Sequence, residues 1–241
     1  MRLVVRIYPS IPHLPGSRCA SDRTVPLAIA RRCTEPGFAL DGAEVIVQEK
    51  LDGSCVAVAR RDGELLALGR EGRPCAESGN EARRWFAAWV AEHRTRFDFV
   101  REGEVLAGEW LALVHGTRYA LDHEPFVPFD LIAGAKTGAG AGAGAGARAT
   151  VDTVAARLSG SGLSMPRVVH RGAPISIADA VEKLGARGLH GAIDPPEGLV
   201  YRVERGGEVI HIAKWVRPEK RDGALLPENS GAPALYHWQP K

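Results

Sequence analysis

Apolar and polar residues alternate in a way that divides the chain into strand-like and helix-like stretches. From Ala43 the pattern is that of strands: Val45, Ile46 and Val47 lead into Glu49-Lys50, and Cys55, Val56 and Val58 continue a β-type run. Asp62-Gly63 is a two-residue hairpin signal, with residues 65–68 as the return strand. Ser78 followed by Glu81 reads as a capping box that opens a helix over residues 80–96. Within it, Trp85 with Trp89 and Phe86 with Val90 lie one turn apart on the buried side. Residues 105–114 and 126–132 read as further strands, and residues 151–158 and 177–186 as short helices, the second capped by Ser176. A second hairpin joins residues 198–203 to 208–216 through Gly206-Gly207. Residues 1–40, rich in Pro, Arg and Ser, read as irregular, with one short strand at the start. The whole is an antiparallel-rich α+β pattern without the regular βαβ alternation of a doubly wound sheet.

Residues 134–147 are almost pure Gly-Ala and read as a flexible surface loop. They lack the Gly-Lys-Ser/Thr ending that a phosphate-binding loop needs. At 241 residues, 45% hydrophobic and 25% charged, the chain suits one globular domain over residues 1–241. A net charge of +2 excludes binding to a polyanion through a global field, so any nucleic-acid partner must meet a local basic patch. The four cysteines, Cys19, Cys33, Cys55 and Cys75, form no CxxC pair and have no His at zinc-finger spacing. Their scatter fits reduced thiols in a cytoplasmic protein, and no stretch has the length of a membrane span.

Candidate chemistry begins at Glu49-Lys50-Leu51-Asp52-Gly53, where a hydrophobic strand closes on a charged residue and a turn glycine. Alone, Lys-x-Asp-Gly is a weak signal that fits a solvated strand end as well as a functional lysine. A lysine there is a nucleophile only when neutral, and at an ordinary pKa near ~10.4 fewer than roughly one amine in a thousand is neutral at pH 7. Desolvation and a neighbouring cation would have to lower it. Further along, Gly69-Arg70-Glu71-Gly72 supplies an arginine, and Gly108-Glu109-Trp110 puts a carboxylate in an apolar strand. Such a carboxylate is either paired structurally or used on a polar ligand, and the residues leave both open. Phe129-Asp130 follows, then Glu197 at the start of one hairpin strand and Lys214 near the end of its partner.

Taken in order, EKLDG, GRE, GEW, FDLI, EGLVYR and AKWVRP resemble motifs I, Ia, III, IIIa, IV and V of the covalent nucleotidyltransferases: ATP-dependent DNA ligases, RNA ligases and mRNA capping enzymes. The run Gly108-Glu109-Trp110-Leu111, His115, Tyr119, Phe126 and Phe129-Asp130-Leu131 is most similar to the RNA ligase branch. Residues 12–17, PHLPGS, look like an element of compact bacterial RNA ligases. The resemblance implies two antiparallel sheets flanked by helices with the AMP pocket between them. The stretch after Lys214 is short for a five-stranded barrel, so no OB-fold domain is expected.

The resemblance also implies roles. Lys50 would be the nucleophile that takes AMP from ATP, and Lys214 would set positive charge against the α-phosphate. Glu49 would lie beside the adenine and Phe129 would stack on it. Asp52 and Gly53 would shape the turn around ribose and phosphate. Arg70 would contact ribose or phosphate, and Glu109 would accept from the ribose. Glu197 would help hold Mg²⁺ or Mn²⁺. The implied reaction is ATP-dependent joining of an RNA 5′-phosphate to a 3′-hydroxyl through lysyl-AMP. Its implied partners are RNA ends and an end-processing kinase or phosphatase, with no membrane. The alternatives are a DNA ligase-like adenylyltransferase and a non-catalytic nucleic-acid-binding relative. Two positions depart from the pattern. Val216 stands where motif V commonly has a second lysine, with Arg217 and Lys220 as substitutes, and Cys55 stands where nick-sealing RNA ligases often carry Asn.

Overall fold

The computed structural model describes residues 7–18, 23–134 and 146–240. Two antiparallel sheets form the frame. One contains β1 (Ala43–Lys50), β7 (Val168–Gly172), β8 (Gly198–Arg205) and β9 (Glu208–Val216) in the order β7-β1-β8-β9. The other contains β2 (Ser54–Arg61), β3 (Glu64–Gly69), β4 (Val105–Trp110), β5 (Phe126–Ala133) and β6 (Ala147–Arg148) in the order β3-β2-β4-β5-β6. Four helices flank them: α1 (Leu27–Thr34), α2 (Glu81–Glu92), α3 (Val151–Leu158) and α4 (Ile177–Leu184). The β2–β3 hairpin turns on Asp62 and Gly63, both at positive φ (52° and 77°), which is the primed turn that matches strand twist.

Side-chain alternation gives each sheet one greasy face and one working face. On the five-stranded sheet, Val56, Val58, Leu106, Trp110 and Phe126 pack against Phe86, Trp89 and Val90 of α2 and Val154 and Leu158 of α3. On the four-stranded sheet, Val45, Val47, Leu199, Tyr201 and Ala213 pack against Ala30 and Cys33 of α1 and Ala180 and Leu184 of α4. The opposite faces look at each other across the molecule. There the five-stranded sheet carries the small side chains of Ala57, Ala59 and Ala107, which leave room between the layers.

Ion pairs bridge that room beside an apolar cluster that includes Ile7, Leu68, Val105 and Ile132. Asp130 of β5, fully buried, accepts from Tyr8 Oη at 2.6 Å and from Arg202 Nη1 of β8 at 2.7 Å, and also pairs with Arg148. Arg202 further donates to Ala149 O at 3.0 Å and to Glu204 Oε1 at 3.2 Å, and Glu204 in turn accepts from Val151 N at the start of α3. Two carboxylates, Asp130 and Glu204, thus tie both sheets and a helix through Arg202.

Several boundaries differ from the sequence expectations. Asn80 caps α2 by accepting from Arg83 N at 3.1 Å, while Ser78 only braces Asn80 N. The helix ends at Glu92, and a 3-10 turn over Arg94–Phe97 follows. The strand expected over residues 105–114 ends at Trp110, because Leu111 N and Val114 N turn to Pro125 O and Leu235 O. Helix α1 falls in a stretch read as irregular: Pro26 precedes it without any side-chain cap, so it lacks a polar start signal. Strand β7 was also not expected; it is an edge strand whose residues are half-buried or exposed. The strand expected at the chain start and most of the Gly-Ala tract lie outside the described residues, although Ala147 at the tract's end pairs with Ala133. Among the described residues no five-stranded barrel follows β9. The C-terminal stretch instead runs back along the end of β4, where His237 N donates to Ala112 O at 2.8 Å.

Asp130→Ala is expected to cost ~3–5 kcal/mol of unfolding free energy in urea melts, because it strands two buried guanidinium groups. The double variant Asp130→Ala/Arg202→Met should cost less than the sum of its parts. A loss under about 1 kcal/mol for Asp130→Ala would show that the pairing does not hold the layers together.

Candidate active site

The inner ends of β1, β8 and β9 place Gln48, Lys50, Val200, Arg202, Ile212 and Lys214 on one wall of a cleft of about 330 Å³. They share that wall because they sit two apart along their strands. Gly53, Cys55, Glu109 and Phe129 come from the other sheet, and Arg70 closes the rim. Phe129 reaches the cleft through a bulge. Ala107 pairs with Asp130 but Gly108 pairs with Pro128, so Phe129 is the extra residue of β5. Both members of Phe129-Asp130 therefore serve the space between the sheets, which plain alternation would forbid. Gly108 is needed for the same arrangement, since a Cβ there would lie 2.4 Å from the Phe126 ring.

Lys50 Nζ donates to Glu197 Oε2 at 2.7 Å and to Leu51 O at 3.2 Å. Burial alone would lower its pKa, but Glu197, Glu109 and Asp52 outweigh that and hold the ammonium above its ordinary range. The resting lysine is thus charged. Burial raises the pKa of Glu197 against the opposing pull of Lys50, and raises Glu109 to about 7, where Lys50 opposes and Glu197 adds to the rise. Glu109 also accepts from Gly53 N at 2.9 Å, which fixes the turn after Lys50. That turn tolerates no side chain at Gly53, where a Cβ would meet Trp110 O at 2.6 Å.

Lys214 stands two strands from Gln48, with Val200 of β8 between them. Its pKa is lowered by burial and by Lys50. Its backbone is held on both sides: Val200 is its partner in β8, and the PHLPGS segment runs along its free edge. Lys214 N donates to Pro12 O at 2.9 Å and Leu14 N to Lys214 O at 2.8 Å, while Val216 N donates to Ser17 Oγ at 2.8 Å. Burial, Lys214 and Lys50 push the neighbouring His13 down to about 4.

Most of the expected residues meet here, but two carboxylates are engaged elsewhere. Glu49 lines the cleft, yet its side chain follows those of Val45 and Val47, and its carboxylate accepts from Leu189 N at 2.5 Å. Asp52 is turned under the turn, accepting from Gly116 N at 2.9 Å and pairing with the fully buried Lys220. Glu197 reaches Lys50 from just before β8, and its side chain is 8% exposed. Of the substitutes for the missing second lysine, Arg217 donates to Pro196 O at 3.1 Å and Lys220 serves Asp52, while Val216 is buried. Cys55 is no nucleophile at neutral pH, since burial and Glu109 push its thiol up to about 12.

Residues absent from the sequence expectations also shape the cleft. Tyr8 sets its ring edge-on to Phe129 with centroids 5.1 Å apart, and Arg70 is steadied by Tyr8 O at 3.2 Å and Ser10 Oγ at 2.7 Å. Ser54, Arg83 and His115 line the side of the five-stranded sheet. Ser54 directly follows the turn after Lys50, and His115 belongs to the RNA ligase-like run without an expected role, whereas no local pattern marks Arg83.

The chemistry of the donor set fits a phosphate-bound divalent cation. Glu197 and Glu109 are two buried carboxylates whose like charges oppose each other, and Mg²⁺ typically takes one or two carboxylates and completes its shell with phosphate and water oxygens. Among the described residues no cluster of three His, Cys, Asp or Glu side chains forms an all-protein cage.

The family model of RNA ligases matches residues 43–216. Among solved structures, an apo mutant of a Naegleria gruberi RNA ligase has a TM-score of 0.55 at 17% identity, over 90% of this chain and 58% of that one. A mutant of the same ligase with ATP and Mn gives 0.54 at 17% identity, over 88% and 60% of the two chains. Another with AMP and Mn gives 0.53 at 16%, over 89% and 60%. The present chain thus spans about three fifths of the length of these neighbours, and the likeness is one of fold. No curated protein matches.

Because the folded chain holds the Glu109 proton up to about 7, whereas an unfolded glutamate releases it near ~4.3, the folded state binds more protons in that window. Stability attributable to Glu109 therefore falls as pH rises from about 4.3 through about 7. Glu109→Gln should flatten that slope relative to the parent in urea melts at about pH 5 and about pH 8, and an unchanged slope would place the proton elsewhere.

Proposed function

The chain belongs to the RNA ligase family, and on that premise we propose that it is an ATP-dependent RNA ligase that carries AMP on Lys50. The observation that supports this most is the pairing of Lys50 Nζ with Glu197 Oε2 at 2.7 Å in a cleft that also holds Arg70, Glu109, Phe129 and Lys214. One lysine in this arrangement is held charged and in place, and the other supplies a second positive charge from the adjoining wall.

Transfer of a nucleotidyl group needs alignment and neutralised oxygens more than acid–base machinery. A divalent cation near Glu197 would neutralise α-phosphate oxygens. Lys50 must lose a proton before it attacks. Were Glu197 to hold the cation instead of Lys50, the ammonium would lose the contact that most favours its charge, and Lys214 would oppose that charge further. The proton passes to solvent, and the neutral amine then attacks the α-phosphorus, forming the P–N bond as the P–O bond to pyrophosphate breaks. Phe129 offers its ring to the adenine, Arg70 and Glu109 flank ribose and phosphate, and Gly53 lets the backbone approach. Asp52 and Glu49 act from beneath, by bracing the turn and the neighbouring 188–189 backbone.

The acceptor in this reading is an RNA 5′-phosphate, and a 3′-hydroxyl completes the join. A kinase or phosphatase reaction would leave such ends. The described residues contain no helix long and apolar enough to cross a membrane, and we place the enzyme in the cytoplasm as one domain.

Incubation with α-labelled ATP and Mg²⁺ should leave label on the denatured protein, in an acid-labile, base-resistant bond that Lys50→Ala abolishes. Label retained by Lys50→Ala would remove the proposal. Glu197→Asp should keep far more adduct formation than Glu197→Ala, because a carboxylate oxygen remains available. Equal yields from these two variants would reduce Glu197 to a strand-end residue.

A further inference from the structure

Arg83 lies in the first turn of α2 and lines the same cleft as Lys50 and Lys214, on the wall built by the five-stranded sheet and its helix. Its guanidinium makes no hydrogen bond or ion pair among the described residues, and its Nε is shut off from solvent without a partner. A buried donor left unsatisfied is costly, and the side chain that carries it lines the cleft, where an acceptor can enter.

The position is also built. Arg83 N donates to Asn80 Oδ1 at 3.1 Å, and the carbonyl before it, Ala82 O, accepts from Trp110 Nε1 at 2.7 Å. The helix turn that carries Arg83 is thereby pinned to β4. Arg83 Nη1 lies 3.9 Å from the point where Gly69 would carry a Cβ, beside the strand end from which Arg70 enters the cleft. Ser54 and His115 line the same side, with Ser54 Oγ and His115 Nε2 3.3 Å apart. Burial lowers the His115 pKa, and Arg83 and Lys220 work in the same direction against Asp52. A planar guanidinium beside a hydroxyl and a neutral imidazole suits the oxygens of a phosphate.

In-line displacement calls for a phosphate opposite Lys50 at two moments. When AMP joins Lys50, pyrophosphate departs from that side. When AMP leaves, an RNA 5′-phosphate oxygen bonds to the AMP phosphorus and the P–N bond breaks. Its electron pair returns to Lys50 Nζ, which takes a proton from solvent. Resting on the adenylyl-transfer reading above, we propose that Arg83, with Ser54 and His115, forms an anion subsite for the phosphate opposite Lys50. That phosphate is either the β,γ-phosphates of ATP or the 5′-phosphate of the RNA.

The test is equilibrium binding by the full chain of inorganic pyrophosphate, and of RNA of one sequence bearing a 5′-phosphate or a 5′-hydroxyl. Arg83→Met should weaken one of these phosphate-dependent interactions by roughly ten- to a hundredfold, the size expected for a charge-assisted hydrogen bond. Loss of pyrophosphate binding assigns the subsite to ATP. Loss of the preference for 5′-phosphate over 5′-hydroxyl RNA assigns it to the acceptor. If neither changes, the subsite is overturned. Arg83→Lys and Arg83→Gln carry the same comparison if the methionine variant unfolds, and equal phosphate binding by those two would overturn it as well. The pyrophosphate titration needs no adduct, so a parent chain that forms no lysyl-AMP would sink the ligase reading and leave the Arg83 result to stand or fall separately.

Discussion

Asp130 and Arg202 meet at 2.7 Å in the space between the two sheets, and the cleft lies beside that buried pair. The inner face of the five-stranded sheet carries small side chains at Ala57, Ala59 and Ala107 next to Leu68, Val105 and Ile132, and the ion pairs join it to β8. Such pairs contribute little net stability compared with well-packed apolar residues, yet breaking one is costly. Their effect is on geometry, since a carboxylate that must satisfy Tyr8, Arg148 and Arg202 together accepts few placements of β5 against β8.

The same economy of charge governs the candidate site. Three carboxylates, Asp52, Glu109 and Glu197, surround Lys50 and keep it protonated at rest. Lys220 answers one of them, and Lys50 itself answers another. The missing second lysine of motif V is therefore not replaced within β9. Val216 is buried on the strand, and the nearest compensating cation acts from beneath Asp52.

What could be read from the chain follows physical range. Hairpins at Asp62-Gly63 and Gly206-Gly207, the cap at Ser176 and the stripe of Trp89, Phe86 and Val90 are local signals, and the structure bears them out. The ordered motifs brought Lys50, Arg70, Glu109, Phe129 and Lys214 to one cleft. Strand parity could have shown that Glu49 shares a face with Val45 and Val47 and so turns away from Lys50. The bulge at Phe129 could not be read so, because it depends on how β5 meets β4. Helix α1 lacks a polar cap, and β7 is an edge strand without alternation, so neither leaves a local mark. Arg83, His115 and Tyr8 join the cleft only through tertiary contacts.

The strip of backbone pairing between Pro12, Leu14 and Ser17 and the end of β9 has a consequence in time. A chain emerging from the ribosome presents Lys50 long before Glu197 and Lys214 have been made. Contacts so distant in sequence form slowly and late, since the closure of a long loop must precede any gain from them. Until β9 slots between β8 and the early PHLPGS segment, Lys50 has neither its carboxylate clamp nor its companion cation. Assembly of the Lys50 site is therefore tied to completion of the fold, and a nascent or truncated chain carries Lys50 without the partners that set its charge.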